Sequence, residues 1–175
     1  MRSTSYEVAH LTNLLGAFIT NLNDELTLAL EEVVGAAGAM PAALVAIDTW
    51  PDCSIEFLRR VVRLTQSGTV RLVDRLEEAA FVARSPGADR RAVALRVTAK
   101  GREMMRHVRE ARERILGRVI GTLSEAEQRE LSTVLHRVLR TETRSRTEAQ
   151  HSCRLCDHSV CRDEACPIGS SVQEG

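Results

Sequence analysis

Aromatic residues are scarce in this chain. One Trp, one Tyr and three Phe make up 3% of 175 residues. Its core must therefore be aliphatic, built from Leu, Val, Ile and Ala, which suits packed helices better than a β-sandwich. No run of 18 apolar residues occurs, so no membrane-spanning helix is read. Met1 to His10 holds no basic stretch followed by an apolar one. No secretory signal is read there, and a cytoplasmic location is expected. No HExxH-type helix, glycine-rich phosphate loop or grouping of Ser, His and acid stands out, so the chain reads as a non-enzyme. Lysine is nearly missing too: all but one of the 24 basic residues are Arg, Lys100 being the exception. The rigid fork of Arg fits phosphates and base edges, although codon bias alone gives the same count.

What is present is 43% hydrophobic, enough for one domain of ordinary size. The net charge is zero but uneven. Residues 1–53 carry a net −6 and residues 54–100 a net +5, so the positive surplus sits in mid-chain.

Hydrophobic spacing predicts a long helix over Tyr6 to Val34, ended by Gly35 and Gly38. Pro41 opens a second, stopped at Trp50-Pro51. Ser54 caps a short helix to Arg63, and Thr65 caps another from Gln66 to about Ala80. Leu72, Val73, Leu76 and Ala80 form the inner stripe of that helix. Two strands are expected over Phe81 to Arg84 and Ala92 to Val97, with a charged turn between them. Thr98 caps a long helix to about Ile120. Ser124-Glu-Ala-Glu127 is a capping box for a last one to about Arg140. Residues 141–150 read as a polar linker. The expected division is a domain over 1–145 and a Cys-rich tail over 146–175. Two short helices followed by a basic hairpin define a winged helix-turn-helix, in a mainly α fold with long terminal helices.

The segment Ser54 to Glu77 resembles the helix-turn-helix of the MarR (multiple antibiotic resistance regulator) family, best at Ser67 and at Arg71-Leu-Val-Asp-Arg-Leu76. Asp89-Arg90-Arg91 resembles its wing signature, and Leu95-Arg-Val-Thr-Ala-Lys-Gly-Arg102 the start of its fifth helix. The chain departs from the pattern at Arg63, where a glycine is usual, and at Gly68, where Ser or Thr is usual. The resemblance implies a homodimer whose first and last helices intertwine. It also implies a helix in the major groove of double-stranded DNA, a wing toward the minor groove, and repression relieved by a small-molecule effector or a redox event.

Spacing and the resemblance together place Thr65, Gln66, Ser67, Thr69, Val70, Arg71 and Arg75 toward DNA, with Arg84, Asp89, Arg90 and Arg91 on the wing. Gln66 can pair with adenine, Arg71 with guanine or phosphate, and Val70 can touch a thymine methyl. The family pattern gives Asp89 the task of holding Arg91. The competing reading pairs Arg71 and Arg75 with Asp74, Glu77 or Glu78 on their own helix, and leaves the wing a solvated basic hairpin.

The tail carries Cys153, Cys156, Cys161 and Cys166 in the spacing C-x2-C-x4-C-x4-C. Four thiolates make a candidate tetrahedral zinc site. An iron–sulfur cluster, a thiol redox switch and an unliganded tail remain open alternatives. His151 and His158 are reserve ligands. Cys53 stands apart and reads as a small buried apolar residue. A second functional reading is a metal- or redox-sensing helical dimer whose tail docks a protein partner without specific DNA binding.

Overall fold

A computed structural model describes residues 2–36, 38–87, 93–161 and 166–169, the side chains of 2–4 excepted. Its elements run α1 (Arg2–Val34), α2 (Met40–Thr49), β1 (Cys53–Ser54), α3 (Ile55–Val62), α4 (Gln66–Glu78), β2 (Val82–Pro86) and β3 (Val93–Val97), then α5 (Ala99–Ile120), α6 (Glu125–Glu142) and α7 (Arg146–Ser152). The fold is mainly α with a small antiparallel sheet in the order β1-β3-β2. This is the expected winged helix-turn-helix.

Short polar side chains start most of these helices, as the sequence predicts. The hydroxyl oxygens of Ser54, Thr65, Thr98 and Ser124 each accept the backbone N–H three residues on, satisfying one orphan donor of the first turn. α2 is the centre of the core, with Met40 through Ile47 all buried. Leu58 and Val61 of α3, Leu72, Val73 and Leu76 of α4, Leu95 of β3 and Val108 of α5 close around it. Truncating any of the larger ones to Ala costs on the order of 2–5 kcal/mol.

Four differences from the sequence reading have physical reasons. α4 stops at Glu78, and Ala80, expected on its inner stripe, is exposed with φ +58 in the turn to β2. A third strand, β1, pairs Cys53 with Leu95 and Ser54 with Ala94. Two residues are too few to show a period, so only tertiary pairing creates it. The strand over residues 81–84 begins one residue later and runs on to Pro86. Finally, the polar stretch 141–150 is helical at both ends, because Ser145 caps α7 by accepting the Glu148 N–H at 3.2 Å.

α1 lies along α5, with Arg118 Nη2 donating to the Glu25 carboxylate at 2.6 Å. From Ser5 to Asn21 the side chains of α1 are all exposed, and α6 has no buried residue at all. Leu11, Leu14, Leu15 and Ile19 of α1 are 55–65% exposed. Val134, Leu135 and Val138 of α6 are 43–47% exposed. No described helix is long and apolar enough to cross a membrane.

Candidate nucleic-acid interface and thiol cluster

α3 and α4 are joined at Arg63, which has φ +55 and ψ +45 and donates its N–H to the Arg59 carbonyl. A side chain in this left-handed conformation carries a strain that glycine would not. Three residues on, α4 begins. Its first turn holds Gly68, whose N–H bonds to Thr65 Oγ1 at 3.1 Å. A Cβ at Gly68 would stand 3.0 Å from that oxygen, so the glycine leaves room for the cap.

α4 has two faces. Thr69, Leu72, Val73 and Leu76 are buried. Gln66, Ser67, Arg71 and Arg75 are exposed, and Val70 is half-buried beside them. These five, with the exposed cap Thr65, form one outward strip. Thr69 belongs to the other face. It is fully buried, and its hydroxyl donates to the Thr65 carbonyl at 2.9 Å. Placing it toward DNA is therefore corrected. It stands three and four residues before Leu72 and Val73, the spacing of the inner stripe.

Arg71 Nε donates to the Ser67 carbonyl at 3.3 Å. Neither Arg71 nor Arg75 has an ion-pair partner among the described residues. The acids of α4 are taken up elsewhere. Arg84, on β2, bonds Asp74 at 2.5 Å and also bonds Glu77, and it is 28% exposed. Arg84 thus ties the wing's first strand to α4 and leaves the outward strip cationic. Asp89, Arg90 and Arg91 lie outside the described residues.

The sheet side is fixed by a second set of bonds. Thr98 Oγ1 donates to the Ala80 carbonyl at 2.7 Å and accepts from Gly101 N at 3.0 Å. Arg96 Nη2 bonds Asp52 at 2.7 Å, and the salt bridge holds the Asp52 carboxyl below its ordinary range. Cys53 is half-buried behind it, and burial pushes its thiol up to about 11. That fits the inert residue read from the sequence.

The four tail cysteines come together. Cys153 and Cys166 are buried with Ala149 and Ile168, and Cys156 and Cys161 pack against them. The neighbouring Cys156 and burial hold the Cys153 thiol well above its ordinary range, and burial, with Cys166 beside it, pushes Cys161 up to about 11. Its neighbour Cys153, and then Arg112, His158 and Arg154, hold the Cys156 thiol below its ordinary range against the effect of burial. Gly169 N–H donates to Cys166 Sγ at 3.2 Å. Among the described residues no three potential ligands already surround a common point as a bound ion would hold them. The histidines are otherwise engaged. His151 Nδ1 donates to the Val61 carbonyl at 2.7 Å, and its Nε2 faces Arg154 Nη1 at 3.3 Å. The His158 ring stands edge-on to Trp50 at 5.4 Å.

A helix pair carried on an aliphatic core and flanked by a three-stranded sheet defines a winged-helix protein, and solved structures bear this out. Rv1404 from Mycobacterium tuberculosis is 23% identical, covers 78% of this chain and 95% of its own, and superposes with a TM-score of 0.68. FabT of Streptococcus pneumoniae, solved in complex with DNA, is 19% identical over 73% of this chain and 94% of its own, with a TM-score of 0.62. The M. tuberculosis MarR family protein Rv2887 in complex with DNA is 24% identical over 73% and 96%, with a TM-score of 0.60. No curated protein matches by sequence. The MarR family model matches residues 42–93, from α2 to the first residue of β3. Over that segment the chain is similar to the MarR family, and its fold is that of the winged-helix structures above.

Proposed function

We infer that this chain is a transcriptional regulator that binds double-stranded DNA as a homodimer and acts as a repressor. The observation that carries the reading is the outward strip of α4. It sets Arg71 and Arg75, which have no ion-pair partner among the described residues, beside Gln66, Ser67 and Val70, on a helix whose opposite face is anchored in the core. A major groove admits such a helix, and its N-terminal residues reach base edges. FabT and Rv2887, which share the fold, have been solved with DNA.

Dimerisation follows from the terminal helices. An 18-residue helix with no buried side chain, and a first helix bare over most of its length, lack the packing that stabilises helices in water. Their exposed Leu, Ile and Val stripes need a partner, and a second copy supplies matching ones. A small-molecule effector belongs to the same reading. A cavity of about 330 Å³ opens between α5 and the tail, lined by Arg109, Arg112, Leu116, Ile120, Leu155 and Val160 among others. Arg109 and Arg112 share this lining with Glu113 and Asp157, so the cavity suits a small, largely apolar molecule and sets no ligand charge.

Fluorescence anisotropy on DNA selected from random duplexes tests the reading. The wild-type chain is expected to retain a sequence-specific pool, and Arg71→Ala to lose roughly 1–3 kcal/mol of binding to it. A chain that enriches no sequence and binds all duplexes alike would leave only the reading in which the tail docks a protein partner.

A further inference from the structure

The tail contains a cluster whose interior is made of sulfur. Ala149 and Ile168 are the buried apolar residues around Cys153 and Cys166, with Cys156 and Cys161 at the edge. So few methyl groups cannot hold a segment of this length in one conformation. Yet the segment is docked at several points. α7 packs on α3. Leu155 reaches the main core. His151 satisfies the Val61 carbonyl, one of the last carbonyls of α3, which has no intrahelical partner.

We propose that Cys153, Cys156, Cys161 and Cys166 bind one zinc ion, which closes the tail into a clasp on the C-terminal end of α3. The four cysteines already pack into one cluster. Cys156 N–H bonds the Cys153 carbonyl at 2.9 Å, the tight turn that lets a C-x-x-C pair aim both sulfurs at one ion. The second pair is braced by the Gly169 N–H on Cys166 Sγ, the kind of backbone donor that supports metal-bound thiolates. Four thiolates on a divalent ion leave two negative charges. Arg112 lines the same cavity as Cys156 and Cys161, and Arg154 stands between Cys153 and Cys156 in the chain, so two guanidinium groups supply compensating charge. On binding, each thiol releases its proton to solvent as its sulfur–zinc bond forms, with no change of oxidation state. A tetrahedral all-sulfur site with no open position is structural rather than catalytic.

The metal measurement needs no DNA, so its failure is separable from that of the regulator reading. The full chain is purified without a metal-affinity step, and zinc, iron and labile sulfide are measured per chain. About one zinc per chain is expected, falling several-fold in Cys156→Ser and Cys166→Ser but unchanged in Cys53→Ser. Cobalt(II) added to the stripped chain should give the intense visible absorption of a tetrahedral tetrathiolate. Hydrogen exchange on the full chain should rise in residues 146–161 and at the end of α3 on chelation, and reverse on adding zinc. That reversal covers the case in which the Ser variants fail to fold. Iron with labile sulfide, a metal-free chain whose tail thiols close into disulfides in air, or chelation that leaves exchange in the tail and α3 unchanged would each overturn the proposal.

Discussion

Gly101 stands in the first turn of α5, directly beneath the carbonyl of Phe81. A Cβ there would lie 2.0 Å from that oxygen and 2.7 Å from Val97 Cγ1. Because the near neighbour is backbone, nothing can swing aside. Gly101→Ala is therefore expected to cost about 2 kcal/mol or more. It should lower the midpoint of thermal unfolding by at least roughly 4 °C. A change within a degree would show that α5 can move away from the sheet at little cost. Arg63 presents the opposite case, a side chain where the backbone suits glycine. Arg63→Gly relieves the left-handed strain but adds freedom to the unfolded chain, for a net gain of about 0.5–1 kcal/mol. A raised unfolding midpoint checks this, and a lowered one would mean that the Arg63 side chain makes a contact worth more than the strain. Both residues stood out in the sequence through the family pattern, Gly101 inside it and Arg63 as a departure. What the sequence did not carry was the reason, because the Phe81 carbonyl and the helix-turn conformation exist only in the folded chain.

Among the elements, helix starts were the most legible part of the sequence. A cap is chemistry between residues three apart, and Ser54, Thr65, Thr98 and Ser124 each cap as expected. The missed helix α7 carried the same signal. Ser145-Arg-Thr-Glu148 has the capping-box spacing, with Ser145 accepting from Glu148 N–H and Glu148 from Arg144 N–H at 2.7 Å. The surrounding polar residues masked it. Strand β1 had no local signal, since its bonds to Leu95 and Ala94 cross some forty residues. The recognition strip was legible except at Thr69, whose polar side chain suggested DNA while its spacing assigned it to the core. Arg84 was legible as a cation on the wing, but not that two acids of α4 engage it. Leu135→Asp places a charge in an exposed apolar stripe, so it should leave the isolated fold unharmed but prevent pairing. Sedimentation should then give the 19.4 kDa chain mass rather than twice it. A variant that still sediments as a dimer would move the interface away from α6.

For the molecule as a whole, the arrangement is one aliphatic core carrying three different surfaces. The exposed stretch of α1 and the whole of α6 face outward, as does the cationic strip of α4, and the sulfur cluster packs with α7 against α3. Zero net charge hides this partition, because the acids concentrated in residues 1–53 balance the surplus in residues 54–100. The surplus matters only if it meets phosphate. Each phosphate neutralised releases counterions, so log K should fall linearly with log salt at about −0.9 per phosphate contact. A sedimentation titration of the full chain on its selected duplex at several salt concentrations shows whether two copies bind together and how many phosphates they meet. Two chains per duplex are expected, with an affinity that falls by roughly 10³-fold or more between 50 and 200 mM salt, as six or more phosphate contacts require. One chain per duplex, or an affinity indifferent to salt, would contradict it.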